Sequence, residues 1–251
     1  MFILLLILIY CADLDRDNPL DPKNPNSSVN RAILVELFVN DSTGFEYCNY
    51  ALDAIEQLAQ REDYRDKLFV LEYHLTNHNA NWNDIYASDE FNQRYYEYVP
   101  RTSERGIPDA MFNGSVDRVQ GASREKIDER YTNVAQALIG QESFFRIDAE
   151  KNISNNNMLL DVVVARYGRS AAKDIDLNVI LYEDLKAPRH RFVVRKIFQK
   201  QSIPFINRGE MKSCQFSEPL PAVEDIDNLY ALIFLQHQTG SNKEVFQVAK
   251  F

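Results

Sequence analysis

Thiol chemistry is the first possibility this sequence raises, because Cys48 stands just past the point where a loop gives way to a helix. The stretch Ala32–Ala51 reads AILVELFVNDSTGFEYCNYA. It opens as an apolar, β-branched run carrying one acid, Glu36, then passes through the turn-formers Asn40–Gly44 into helical spacing from Phe45. A helix N-terminus lowers the pKa of a cysteine at its first, exposed position and so makes a nucleophile of it. Phe45 holds that position and cannot ionise; Cys48 lies about one turn further in. Exchange also needs a second sulfur to release the mixed disulfide, and the chain has three cysteines, Cys11, Cys48 and Cys214. A Cys48–Cys214 bridge is open on count alone, but sequence does not supply the Cα separation a disulfide demands. Cys48 is therefore read as a small packed side chain.

Other chemistries are weaker. His74 and His78, with Asp84 nearby, form the one histidine cluster. Their four-residue spacing would suit a metal on a helix, but His74 ends a predicted strand, so a polar loop is expected and no metal. Asp13, Asp15 and Asp17 have the alternation of a calcium loop, yet the positions that need Gly and Glu are Asn18 and Asn24. A solvated spacer is the reading there, and a calcium-organised adhesin is set aside. No Ser-His-Asp order and no glycine-rich phosphate loop is present, and no cofactor is expected. Arg189, His190, Arg191, Arg195 and Lys196 form a basic run, assigned to the wet face of a strand and the loop before it. A formal net charge of -9 over 251 residues argues against nucleic acid as a partner.

These residues need elements to position them. From Arg31 to about Gly140 the pattern is β-α-β-α-β-β-α. Strands are predicted at Ala32–Asn40, Lys67–Leu75, Asp109–Phe112 and Ser115–Val119, and helices at Phe45–Arg61, Ser88–Tyr98 and Ser123–Leu138. Asn113-Gly114 predicts a two-residue type I′ hairpin turn. Beyond Gln141 come about seven short strands with no helix between them: 144–149, 158–166, 176–183, 192–199, 211–216, 229–237 and 244–250. The run from Leu177 to Glu183 alternates, which predicts one dry and one wet face.

The chain opens with ten uncharged apolar residues, too few for the roughly 20 that span a bilayer. They fit a signal-peptide core over 1–10 that ends at Cys11. This resembles a bacterial lipoprotein signal, in which the cysteine becomes the lipidated N-terminus. Tyr10 stands where that signal has a small residue, and no Lys or Arg precedes the run. Residues 11–30 form an Asp- and Pro-rich tether, with Pro19, Pro22 and Pro25 at the three-residue period of polyproline II.

Three features in order, ILVELFV (Ile33–Val39), the helix start ending in Cys48, and RGIP (Arg105–Pro108), resemble the thioredoxin superfamily across residues 31–140. The family's Cys-x-x-Cys corresponds here to Phe45-Glu46-Tyr47-Cys48. The resemblance implies a cis bond at Ile107-Pro108 facing the helix start, and it matches Glu36 to a buried acid beneath the cysteines. The whole layout is similar to lipoproteins of the outer-membrane-protein-twenty-eight type. The expected architecture is thus an α/β thioredoxin-like domain (31–140) followed by an all-β antiparallel sandwich domain (141–251). The expected protein is exported and lipid-anchored through Cys11 in the bacterial envelope, an outer membrane lipoprotein on the periplasmic or outer face. In the family, the residue before the cis-proline pairs with extended peptides, which needs no sulfur. The resemblance therefore implies a redox-inactive module that binds an envelope protein or peptide through Phe45, Tyr47, Cys48, Ile107 and Pro108. The competing reading is a thiol-disulfide oxidoreductase or isomerase using Cys48, with Glu36 or with Cys214.

Overall fold

The structure, a computed structural model, describes residues 28–42, 44–77, 82–168, 170–239 and 243–251, with Asn18, Asp21 and Asn24. Cys11, the apolar run before it, Asp13, Asp15, Asp17 and His78 lie outside the described residues. The first half contains β1 (Val29–Asn30), β2 (Ile33–Val39), α1 (Glu46–Gln60), β3 (Leu68–His74), α2 (Asp89–Tyr98), β4 (Asp109–Phe112), β5 (Asp117–Gln120) and α3 (Ile127–Leu138). The second contains β6 (Glu142–Ser143), β7 (Phe145–Ser154), β8 (Asn157–Arg166), β9 (Ala172–Glu183), β10 (Val193–Ile197), β11 (Gln201–Ile206), β12 (Met211–Pro219), β13 (Leu229–His237) and β14 (Val245–Lys250). Among the described residues the chain is mostly β, in three sheets with few helices.

Hydrophobic pattern explains the layering. Every residue of β2 is buried, as expected of a strand covered on both faces. Its odd positions, from Ile33 to Val39, join the α1 and α3 side chains in one core. Leu34 and Phe38 face the other way, into a core with Phe91 and Tyr95 of α2. The two parallel strands β2 and β3 are joined through α1, the crossover such pairing requires. Strands β4 and β5 extend the sheet antiparallel beyond β2.

The sheet does not stop at the boundary expected near residue 140. Its order is β14-β13-β9-β10-β3-β2-β4-β5, with β11 also on β9. The join is a parallel contact between Val193 of β10 and Glu72 of β3, closed by the Glu72 N–H donating to the Phe192 carbonyl at 2.8 Å. The α2-side core is likewise shared, because Ile180, Tyr182, Leu232 and Phe234 pack into it beside Leu34, Phe38 and Tyr73. A three-stranded sheet, β12-β8-β7, covers the other face of β9 and β13 across a third apolar layer.

Three expectations are corrected here. The alternating run in β9 has no wet face: Leu177, Val179 and Leu181 enter one core and Ile180 and Tyr182 the other. The β4–β5 connection is four residues, since Phe112 pairs with Asp117. Asn113 and Gly114 keep the positive φ that a type I′ pair requires, and Asn113 also continues the pairing to β2: its backbone N–H donates to the Leu34 carbonyl (2.8 Å) while its side-chain oxygen accepts from the Leu34 N–H (2.9 Å). Helix α3 starts at Ile127, not Ser123. Strand β11, unforeseen, contains Pro204, which its edge position tolerates because Ile203 and Phe205 carry the pairing to β9.

The entry into the fold is pinned at the seam between the halves. Val29 and Asn30 pair with Ser143 and Glu142. Arg31 donates to Glu244 at 2.8 Å and to the Val245 carbonyl, and Gln247 bridges the Asn30 carbonyl and the Ala32 N–H.

Candidate functional site

Phe45 caps α1 with no side-chain hydrogen bond to the helix amides, as a ring must. It packs edge-on against Trp82 at 4.9 Å, so the loop after β3 lies over the helix start. Cys48 is fully buried in the core beneath α1. Burial pushes its thiol up to about 12, a shift the Asn40 backbone only partly opposes and the nearby Asp84 and Asp41 charges reinforce. The thiolate that exchange requires is thus disfavoured. Cys214 is a second free thiol, on β12, raised by burial as well.

Ile107-Pro108 is cis. Ile107 packs partly buried against the core that holds Cys48, as does Phe45; Pro108 is buried and Tyr47 is 63% exposed. The flanking backbone is held by Tyr95, whose hydroxyl accepts from the Gly106 N–H (3.0 Å) and donates to Asp109 (2.7 Å). Among the described residues the Ile107 backbone makes no hydrogen bond.

Glu36 is not beneath Cys48, and this corrects the match drawn from the sequence. β2 alternates, and Glu36 shares the face of Leu34 and Phe38, while Cys48 packs on the face of Val35 and Leu37. Arg94 of α2 takes Glu36 with Nε on Oε1 and Nη2 on Oε2, both 2.9 Å. Tyr73 donates to Oε1 (2.9 Å) and Tyr98 donates to Oε2. The pair is sealed by Gln236 of β13, whose amide oxygen accepts from Arg94 at 3.1 Å. Every hydrogen-bonding position of the acid is spent on structure.

The histidine cluster is corrected as well. The structure places His74 beside His190, with ring centroids 5.9 Å apart, and brings Glu72 to both. One ligand-capable atom from each of Glu72, His74 and His190 lies within 4.8 Å of the others. Glu72 and His74 are fully buried. Among the described residues, both Glu72 oxygens, His74 Nε2 and His190 Nδ1 have no hydrogen-bond partner. A buried polar atom left unpaired costs about 1–3 kcal/mol. Four of them rival the roughly 5–15 kcal/mol by which a whole domain is stable. Burial, with the charge of Glu56 second, holds the Glu72 carboxyl well above its usual range; the Phe192 amide opposes this only in part.

The outward atoms of both rings are fixed. His74 Nδ1 is 2.7 Å from Asp84, whose carboxylate also accepts the Asp41 and Tyr86 N–H groups. His190 Nε2 lies 3.4 Å from Asp41. The rest of the basic run lies in the loop before β10 and on β10, partly exposed as expected, and its charges are paired: Arg189 with Asp53, Arg191 with Asp184, Arg195 with Glu183 and Lys196 with Glu218. Sequence reasoning missed Glu72 and His190. The Glu-Tyr-His alternation at 72–74, which puts both ends on one face of a strand, was the signal available.

Residues 34–193 match the family described as "Protein of unknown function (DUF1223)", more than half of the chain. The chain belongs to that family. The match begins in β2 and ends at Val193, so the family segment spans α1, the cis-proline, the Glu72–His74 pair and His190. No curated protein matches significantly. Among solved structures, the chain is similar in fold to "HBP35 of Porphyromonas gingivalis", at 11% identity and a TM-score of 0.67, covering 89% of this chain and 76% of that one. A domain of the outer membrane lipoprotein Omp28 from Porphyromonas gingivalis aligns over 43% of this chain and 86% of its own, at 15% identity and a TM-score of 0.34. No helix among the described residues is long and apolar enough to cross a membrane.

Proposed function

We propose that this family member is an exported, lipid-anchored envelope protein whose first half is a redox-inactive thioredoxin-like module, followed by a β-sandwich domain, and that it binds rather than turns over. The observation that carries the reading is Cys48: it is fully buried, its thiol is pushed up to about 12, and an aromatic ring occupies the helix start above it. The ligand is an extended segment of an envelope protein, added as a strand along the Ile107 backbone with Phe45 and Tyr47 as apolar contacts. The unbonded Ile107 peptide groups and the exposure of Tyr47 support this. Export and anchoring rest on the sequence alone, on the apolar run that ends at Cys11.

Insulin reduction by the full chain, beside Cys48→Ser, tests the inactive reading; the expected rate is background in both. Turnover that disappears in the serine variant would establish the oxidoreductase instead. For binding, crosslinking in intact envelopes followed by capture is compared between wild type and a Phe45→Ala/Tyr47→Ala variant, with loss of a discrete adduct expected. Labelling with radioactive palmitate, abolished by Cys11→Ser, tests the anchor.

A further inference from the structure

We infer that Glu72, His74 and His190 form a binding site for one divalent transition-metal ion of the zinc type. Two imidazoles and one carboxylate are a zinc donor set that leaves a fourth position open. Three independent features of the geometry converge on it.

The first is direction. The atoms that face one another, His74 Nε2, His190 Nδ1 and the Glu72 carboxylate, are the ones left without partners among the described residues, and they lie within 4.8 Å of one another. Tetrahedral coordination at about 2.0–2.2 Å needs these donors to close by roughly an ångström. The second is the outer layer. Metal-bound histidines almost always give their other ring N–H to a carboxylate, which fixes the tautomer and turns the lone pair inward. Asp84 stands in that relation to His74 at 2.7 Å, and Asp41 to His190 at 3.4 Å. Asp84 is itself oriented by two backbone amides. The third is charge. Glu72 feels the charge of a second acid, Glu56 of α1, whose Oε1 is also buried and without a hydrogen-bond partner among the described residues, and Arg191, itself paired with Asp184, offsets the two acids only in part. A bound cation would complete that compensation. The site is distinct from the peptide groove and does not rest on that reading.

The test uses the untagged full chain, stripped with a chelator and dialysed, then titrated with Zn²⁺ by calorimetry and with Co²⁺ by visible absorption. Expected are one Zn²⁺ per chain, a Co²⁺ spectrum typical of a four- or five-coordinate nitrogen–oxygen site, and a thermal midpoint raised by Zn²⁺. His190→Gln, on a half-buried loop where folding tolerates it, and Glu72→Gln each lose the stoichiometric site. Asp84→Asn weakens it by about 10- to 100-fold, while His237→Gln leaves it unchanged. Failure of wild type to bind Zn²⁺ or Co²⁺ stoichiometrically overturns the inference. So does equal affinity in His190→Gln and wild type, which would put the ion elsewhere. Should a variant misfold, the Co²⁺ spectrum of wild type decides alone: octahedral, oxygen-only coordination rules the histidines out.

Discussion

Arg94 grips Glu36 through two parallel hydrogen bonds of 2.9 Å on the face of the sheet turned away from Cys48. The acid in the strand before α1 is thus half of a structural ion pair. Removing one partner strands the other charge in a fully buried place, which typically costs about 3–5 kcal/mol. Arg94→Met is expected to lower the unfolding free energy measured by urea titration by that order, and Glu36→Gln/Arg94→Met to recover part of the loss. A double variant as unstable as the single one would show that packing of the Arg94 stem, not the charge, dominates.

Cys48 gives a pH signature. Burial pushes its thiol up to about 12 in the folded chain, well above the ordinary cysteine range. The native state therefore holds that proton more tightly than the unfolded state. The contribution is present in full below about pH 9 and is lost as pH rises from there toward 12. Between pH 8 and pH 10, wild type should lose more stability than Cys48→Ala in paired urea titrations. Native-state alkylation at pH 8 should modify Cys214, which is only partly buried, before Cys48.

Trp82 is the sole tryptophan and touches Phe45. Its emission is accordingly a built-in reporter of the proposed groove. Phe45→Ala should shift the emission to the red, and an extended peptide that docks beside Ile107 should change it in wild type and not in Phe45→Ala. Emission identical in the two proteins would mean that Trp82 draws its environment from elsewhere in the loop.

The sheet continuous through Val193 and Glu72, together with the core shared between the halves, predicts one unfolding transition. Far-UV and near-UV circular dichroism should share a midpoint. A chain cut at residue 140 loses Gln236 from the Arg94 pair and Ile180, Tyr182 and Phe234 from the α2-side core. Such a fragment is expected to lack a cooperative transition; two separable transitions in the full chain would contradict the coupling.

Much of the local structure was legible because it depends on local pattern. β2, α1, β3 and α2 lie within a residue or so of their predicted spans, and β13 matches at both ends. What was illegible depends on long-range pairing. Alternation in β9 predicts a wet face only if nothing covers it, and α2 does so together with the residues of β13 and β14. Asn113-Gly114 adopts the positive φ its hairpin chemistry predicts, yet the ladder closes only at Phe112–Asp117, with Asn113 held by Leu34 of β2. Glu36 looked placed for redox work because strand alternation was not carried through to the face bearing Cys48. His190, far along the chain from His74, joins it only because β10 lies parallel to β3.

The pinned entry of the chain has a mechanical consequence. Whatever load reaches residue 28 is divided at once: β1 passes it to β6 in the second half, while Arg31 and Gln247 pass it to β14 and the start of β2. Pulling there loads β6 of the small sheet, β14 at one edge of the great sheet and β2 in its interior together instead of peeling one half from the other, so such a body resists being unzipped from its leading edge.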